Sequence, residues 1–195
     1  MDITDLHRRT VEGWVATLAA MGDSGRWDAP TPCPQWNVRS LVNHVVNEDL
    51  WTVPLMGGAT IADVGDRFDG DVLGDDPVAV GRAAGDAAII ATASGVVAGQ
   101  IVHLSFGDTP AEEYAYQLAA DHLVHGWDLA MAVRTEPQLD DDLVEALADW
   151  FAEREELYRS AGAIGERPAD ATSTCPQDDL LLAFGRHPAW SASSA

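Results

Sequence analysis

The chain is 195 residues long and carries 32 Asp and Glu against 11 basic residues, giving a formal net charge of -21. Such a surface repels phosphate backbones and anionic lipids, which argues against nucleic-acid and membrane partners. With 47% hydrophobic residues, no run of about 18 apolar residues and an acidic start in place of a signal peptide, the composition predicts one cytoplasmic globular domain over residues 1–190.

Ile3, Leu6, Val11, Trp14, Val15 and Leu18 recur at helical spacing and predict a first helix over 3–22, ended by the glycines of Met21-Gly22-Asp23-Ser24-Gly25. Residues 26–37 form a loop with prolines at 30, 32 and 34, which Trp27 and Trp36 are expected to pin to the core. Cys33 lies in this loop. No base or lysine adjoins it in sequence, so its ordinary reading is a free buried thiol, and a disulfide with the distant Cys175 is not expected. Asn37 caps a second helix over about 38–53, with His44 and Glu48 four residues apart beside its apolar stripe. Residues 54–74 read as a long Gly- and Asp-rich loop. Asp76-Pro77 opens a third helix, about 76–96, whose small side chains suit close packing.

Gln100 to Phe106 alternate apolar and polar residues and predict a short extended segment that breaks at Gly107-Asp108. Thr109 as N-cap, Pro110 in the first turn and Glu112 after it start a fourth helix that runs to about Val133. Pro137 separates it from a last helix, 139–160. The tail holds one short helical turn before Gly185-Arg186-His187-Pro188, and residues 191–195 are expected to be disordered. Helices alternate with loops and there is neither a P-loop nor a dinucleotide fingerprint. The fold class is therefore all-α: a four-helix bundle with long loops, a short extended segment and a C-terminal tail.

The chemistry concentrates in Asp121-His122-Leu123-Val124-His125. Asp121 and His125, four apart, stack on one helical face and can share a divalent cation, with His44 from the second helix as third ligand. Three protein ligands leave open positions, as catalytic metal sites do. Leu118, Asp121, His125, Asp128 and Leu129 share one stripe, so Asp121 and His125 are preferred over His122, which stays as the rival or as an outer partner. Asp128 either accepts a ring N–H and orients a ligand or forms a salt bridge with Arg39 or Arg134. Glu48 is either a general base near the metal or a solvated charge. No GxSxG elbow exists, and nothing in sequence places a histidine beside Ser105 or Cys33.

Thr31-Pro32-Cys33-Pro34-Gln35-Trp36-Asn37-Val38-Arg39-Ser40-Leu41-Val42-Asn43-His44 resembles the TPCPxWxVrdLvxH stretch of actinobacterial proteins related to mycothiol-dependent maleylpyruvate isomerase. Phe106-Gly107 and Asp121 to Ala130 resemble that group's second motif, and Gly185 to Pro188 its C-terminal one. The resemblance implies a DinB-like bundle and a divalent metal, typically zinc, held at the positions of His44, Asp121 and His125, with Asp replacing the group's Glu. The isomerase has a further domain supplying a catalytic arginine, to which Arg186 is not a positional match. The resemblance thus implies a thiol-dependent transferase or isomerase in which mycothiol, bound as thiolate, attacks a small electrophile. The alternatives are a metal-dependent hydrolase using activated water, with Glu48 or Asp128 as base, and a non-catalytic metal-binding or interaction protein. A homodimer is the commonest closed assembly and is the expectation for association.

Overall fold

In the computed structural model, which describes residues 1–21, 24–135 and 137–192, the apolar stripe of the first helix faces inward. Helix α1 (Ile3–Met21) buries Leu6, Val11, Trp14, Leu18 and Met21. The expected stop at Gly22-Asp23 and the last three residues of the expected disordered tail lie outside the described residues. Helix α2 (Val38–Met56) begins where Asn37 accepts the Ser40 N–H at 2.9 Å. It runs three residues past the predicted end, through Pro54. Proline in a last turn removes a single helical hydrogen bond, and Leu55 and Met56 beyond it are buried. The predicted loop over 54–74 therefore gives up its start to α2. It also contains a short helix, α3 (Ile61–Val64), fixed by a capping box between Thr60 and Asp63.

Helix α4 (Pro77–Ala98) is capped by Asp76, as the Asp-Pro pair predicts. It has the length and mean hydropathy, 1.2, of a membrane span, and it packs on α1 and α2. A Cβ on Gly85 would stand 2.9 Å from Val11 Cγ1 and 3.2 Å from Val15 Cγ2. Valine is stiff at χ1 and cannot swing clear, so the small residue sets how closely α4 approaches α1.

The extended segment is one half of a hairpin. Strand β1 (Ile101–Leu104) pairs antiparallel with β2 (Gly107–Pro110), Val102 opposite Thr109. This corrects the expected helix start, because Thr109 belongs to the strand and Pro110 stands at the N-cap without a side-chain capping bond. Helix α5 (Ala111–Ala132) is the central one. It packs against α1, α2 and α4 and also meets the hairpin and α6. The helix predicted over 139–160 is two helices, α6 (Asp141–Phe151) and α7 (Glu155–Ser160). At the break, Arg154 donates back to Trp150 O at 2.6 Å and forms an ion pair with Glu113 of α5 at 2.8 Å. Helix α8 (Pro176–Ala183) closes the described elements, and its buried face packs on α6. Helices α1, α2, α4 and α5 form the bundle, and the C-terminal segments lie along α5, meeting it at Glu113 and Tyr116 near its start and at Asp128 near its end.

Polar groups are buried in the bundle interior. His122 bonds Asp49 Oδ1 through Nε2 at 3.1 Å and Leu118 O through Nδ1 at 2.7 Å. The His7 ring meets the His122 ring edge-on at 5.8 Å. Burial first, then the neighbouring His122 charge, pushes His7 down to about 3. Its folded value lies below its ordinary 6.5, so the unfolded chain takes the proton first. Stability present above pH 6.5 is lost as pH falls toward about 3, at up to roughly 1.4 kcal/mol per pH unit for this proton. Urea unfolding at stepped pH values should show a shallower acid decline in His7→Leu; parallel declines would mean that His7 is not held neutral.

Candidate metal centre

The α2 stripe of Leu41, Val42, Val45 and Val46 is buried, which leaves His44 on the helix flank facing α5. One turn apart on α5, Asp121 and His125 face it. His125 Nε2 lies 3.3 Å from Asp121 Oδ1, and His44 Nε2 lies 3.5 Å from Asp121 Oδ2. One ligand atom from each of the three residues falls within 4.8 Å of the other two. The loop before α2 roofs this group. Trp36 lies over both rings, with centroids 4.6 Å from His44 and 5.6 Å from His125. Thr31 Oγ1 fixes the loop by donating to Trp36 O at 2.8 Å.

Behind the group, His125 Nδ1–H donates to Asp128 Oδ2 at 2.9 Å, which turns Nε2 toward Asp121 and His44. Asp128 is fully buried. Arg186 donates to it from Nη2 at 2.8 Å and from Nε at 3.1 and 3.2 Å. The same Nη2 reaches Cys33 Sγ at 3.0 Å, and the thiol lies 3.3 Å from Asp128 Oδ2. Of the two alternatives for Asp128, it accepts the His125 ring N–H and also forms a salt bridge, but with Arg186 in place of Arg39 or Arg134; Arg39 pairs with Asp71 at 2.6 Å. Gly185 sets this up. Its φ is +74° and a Cβ there would stand 2.7 Å from Gly165 O, so glycine alone lets the chain turn Arg186 inward.

Charge follows the geometry. Burial pushes Asp121 up, but the His125 and His44 rings outweigh it and hold the carboxyl well below the usual range. Burial pushes His125 down, and Asp121 and Asp128 carry it well above 6.5. Burial also raises the Cys33 thiol. Burial is the main cause that raises Glu48, and the Asp121 charge adds to it.

Glu48 lines a cavity of about 240 Å³ that opens beside His44, Asp121 and His125. Asp128 is not on that lining; it stands behind His125. His122 faces the other way, with both ring nitrogens engaged by Asp49 and Leu118. A second candidate group, Cys33, His125 and Asp128, shares His125, but Arg186 already engages its thiol and its carboxylate. Asp121 Oδ2, in contrast, is buried without a hydrogen-bond partner among the described residues. An orphaned carboxylate oxygen is costly unless a cation meets it. With two imidazole nitrogens it makes a donor set that fits a divalent ion.

Arg186, Trp36 and the partners of Cys33 were not found by sequence reasoning. Arg186 comes from 58 residues beyond Asp128, and no periodicity links the two. Asp49 did carry a signal. It continues the buried stripe of Val42, Val45 and Val46 at helical spacing, and an acid there requires a buried partner.

No solved structure gives a significant match to the chain. Two Mycobacterium tuberculosis proteins, Uncharacterized protein Rv0738 (strain H37Rv) and Uncharacterized protein MT0763 (strain CDC 1551 / Oshkosh), are each 31% identical over 196 residues, covering 94% of this chain and 97% of the relative. The family model described as "Mycothiol maleylpyruvate isomerase N-terminal domain" matches residues 7–130. That span takes in Cys33, His44, Asp121, His125 and Asp128 and stops short of Arg186. Over the helical bundle and the face that gathers these side chains, the chain belongs to the mycothiol maleylpyruvate isomerase N-terminal domain family.

Proposed function

We propose that this protein binds a divalent metal, zinc being the candidate, through His44, Asp121 and His125, and uses it in thiol-dependent transfer or isomerisation of a small electrophile. The observation that carries the reading is the convergence of three ligand atoms within 4.8 Å around an orphaned carboxylate oxygen at the edge of a cavity. Family membership makes a low-molecular-weight thiol of the mycothiol class the candidate co-substrate. A divalent ion bound there supplies acidity, so that a coordinated thiol is present as thiolate at neutral pH.

The chain's own groups have separate tasks in this reading. Trp36 covers the two rings and keeps bulk water off them. Asp128 holds the His125 tautomer and is a positioning residue. Glu48, raised by burial, lines the cavity as the candidate proton acceptor. Two carboxyl groups with values pushed apart, Asp121 down and Glu48 up, suit one to bind and the other to exchange protons.

Metal analysis of the purified chain, followed by calorimetric titration of the zinc-loaded protein with mycothiol, tests this. A stoichiometric metal and saturable thiol binding below about 1 mM are expected. Absence of thiol affinity, together with thiol-independent turnover of an ester or amide, would replace the transferase reading with the hydrolytic one.

A further inference from the structure

The cavity beside the triad has two unlike ends. Its polar end holds His44, Glu48, Asp121 and His125, and its far end is walled by Trp150, Tyr158, Ile164 and Phe184. Trp150, Tyr158, Ile164 and Phe184 lie beyond residue 130, outside the span of the family match. The wall is held rigidly. Phe184 stacks on Phe151 with centroids 4.0 Å apart and planes at 18°, and Trp150 stacks on Tyr116 at 5.6 Å and 7°. Tyr158 meets both Trp150 and Phe151 edge-on, and the Trp150 indole N–H donates to Glu113 at 3.1 Å. Fixed aromatic surfaces of this kind favour another flat ring, with little ordering cost on binding.

The positive charges around the cavity are already engaged. Arg186 is the one arginine on the lining, and Asp128, Cys33 and Phe184 O take its donors. His125 is engaged on its two nitrogens by Asp121 and Asp128. Of the nearby arginines, Arg154 is bound to Glu113 with its guanidinium over the Trp150 ring, 5.0 Å from the centroid, and Arg159 is bound to Glu155. The sequence contains no lysine. A carboxylate carried to the polar end would lose its water beside Glu48 and Asp121 without gaining a free cation. The Gln117 amide on the lining can serve an uncharged polar substituent.

We infer that the cavity takes a small uncharged aromatic molecule, its ring at the wall of Trp150, Tyr158 and Phe184 and its substituent toward the metal triad, and that it disfavours carboxylate ligands. The volume, about 240 Å³, suffices, since an apolar cavity of roughly 150 Å³ accepts benzene. The use of this cavity as a substrate chamber rests on the metal–thiol reading above; the preference for an uncharged ring does not.

Titration of the metal-free full chain with benzamide and with benzoate, by calorimetry or ligand-observed NMR, reads the preference directly. Benzamide should saturate below about 10 mM and bind at least about tenfold tighter than benzoate. Glu48→Gln removes a negative charge from the polar end, where the substituent is placed, and should narrow that ratio. Equal or tighter binding of benzoate, no saturable benzamide binding, or a ratio unmoved by Glu48→Gln would each overturn the inference. Zinc stoichiometry of the chain as purified, measured before the metal is removed, separates the two claims. A chain that binds no zinc but prefers benzamide defeats the metal reading alone, and one that binds zinc but prefers benzoate defeats the chamber alone.

Discussion

His125→Ala is expected to abolish stoichiometric divalent-metal binding, and His44→Ala to do the same, while His122→Ala leaves it in place. The three rings differ in what they face. Those of His44 and His125 meet at 5.1 Å, and both present Nε2 to Asp121. Removing either leaves two protein ligands, so the loss should exceed the 10–100-fold that losing an orienting partner costs. His122 has its ring nitrogens on Asp49 and Leu118 inside the bundle. Its removal leaves the Asp49 carboxylate unpaired at a fully buried position, which costs about 3–5 kcal/mol of stability. Metal content and thermal unfolding should therefore separate cleanly across the three variants. Equal metal loss in His122→Ala, at a temperature where that variant is folded, would show that the ligand set is wrong.

Arg186→Leu should do both kinds of damage. Asp128 is fully buried, and Arg186 gives it three of its contacts. Truncating the cation leaves a buried charge without its partner, at a cost of about 3–5 kcal/mol. Asp128 then protonates or shifts, and the His125 ring loses the acceptor that fixes its tautomer, for a further 10–100-fold loss of metal affinity. Arg186→Lys restores the charge but not the paired Nε and Nη2 contacts, so it should fall between wild type and Arg186→Leu. Competition with a chromophoric chelator reads the affinity, and urea unfolding the stability. An Arg186→Leu chain with wild-type metal affinity would show that the C-terminal turn has no part in the centre.

Much of the bundle was legible because its signals are local. Asn37, Asp76-Pro77 and the stripe of α1 each act within a turn or two of helix, and the structure places those helices where the spacing does. The misplaced boundaries arise where a distant contact overrides local preference. Thr109 is a good N-cap in isolation, yet Val102 across the hairpin claims its backbone. The pattern over 139–160 is helical throughout, yet Arg154 turns away to reach Glu113 on α5. The site divides in the same manner. The convergence of Asp121 and His125 is a property of one helix, and His44 follows once two helices are set side by side. Arg186 and Cys33 reach Asp128 from segments 58 and 95 residues away, a distance over which spacing carries no information.

That 58-residue separation also orders events at the ribosome. At a synthesis rate of about 5–20 residues per second, Asp128 leaves the peptidyl-transferase centre roughly 3–12 s before its guanidinium partner is even made. During that interval the carboxylate has His125 beside it on the same helix but lacks its guanidinium partner. The turn at Gly185-Arg186, made after the bundle helices, thus brings the guanidinium that compensates this buried carboxylate.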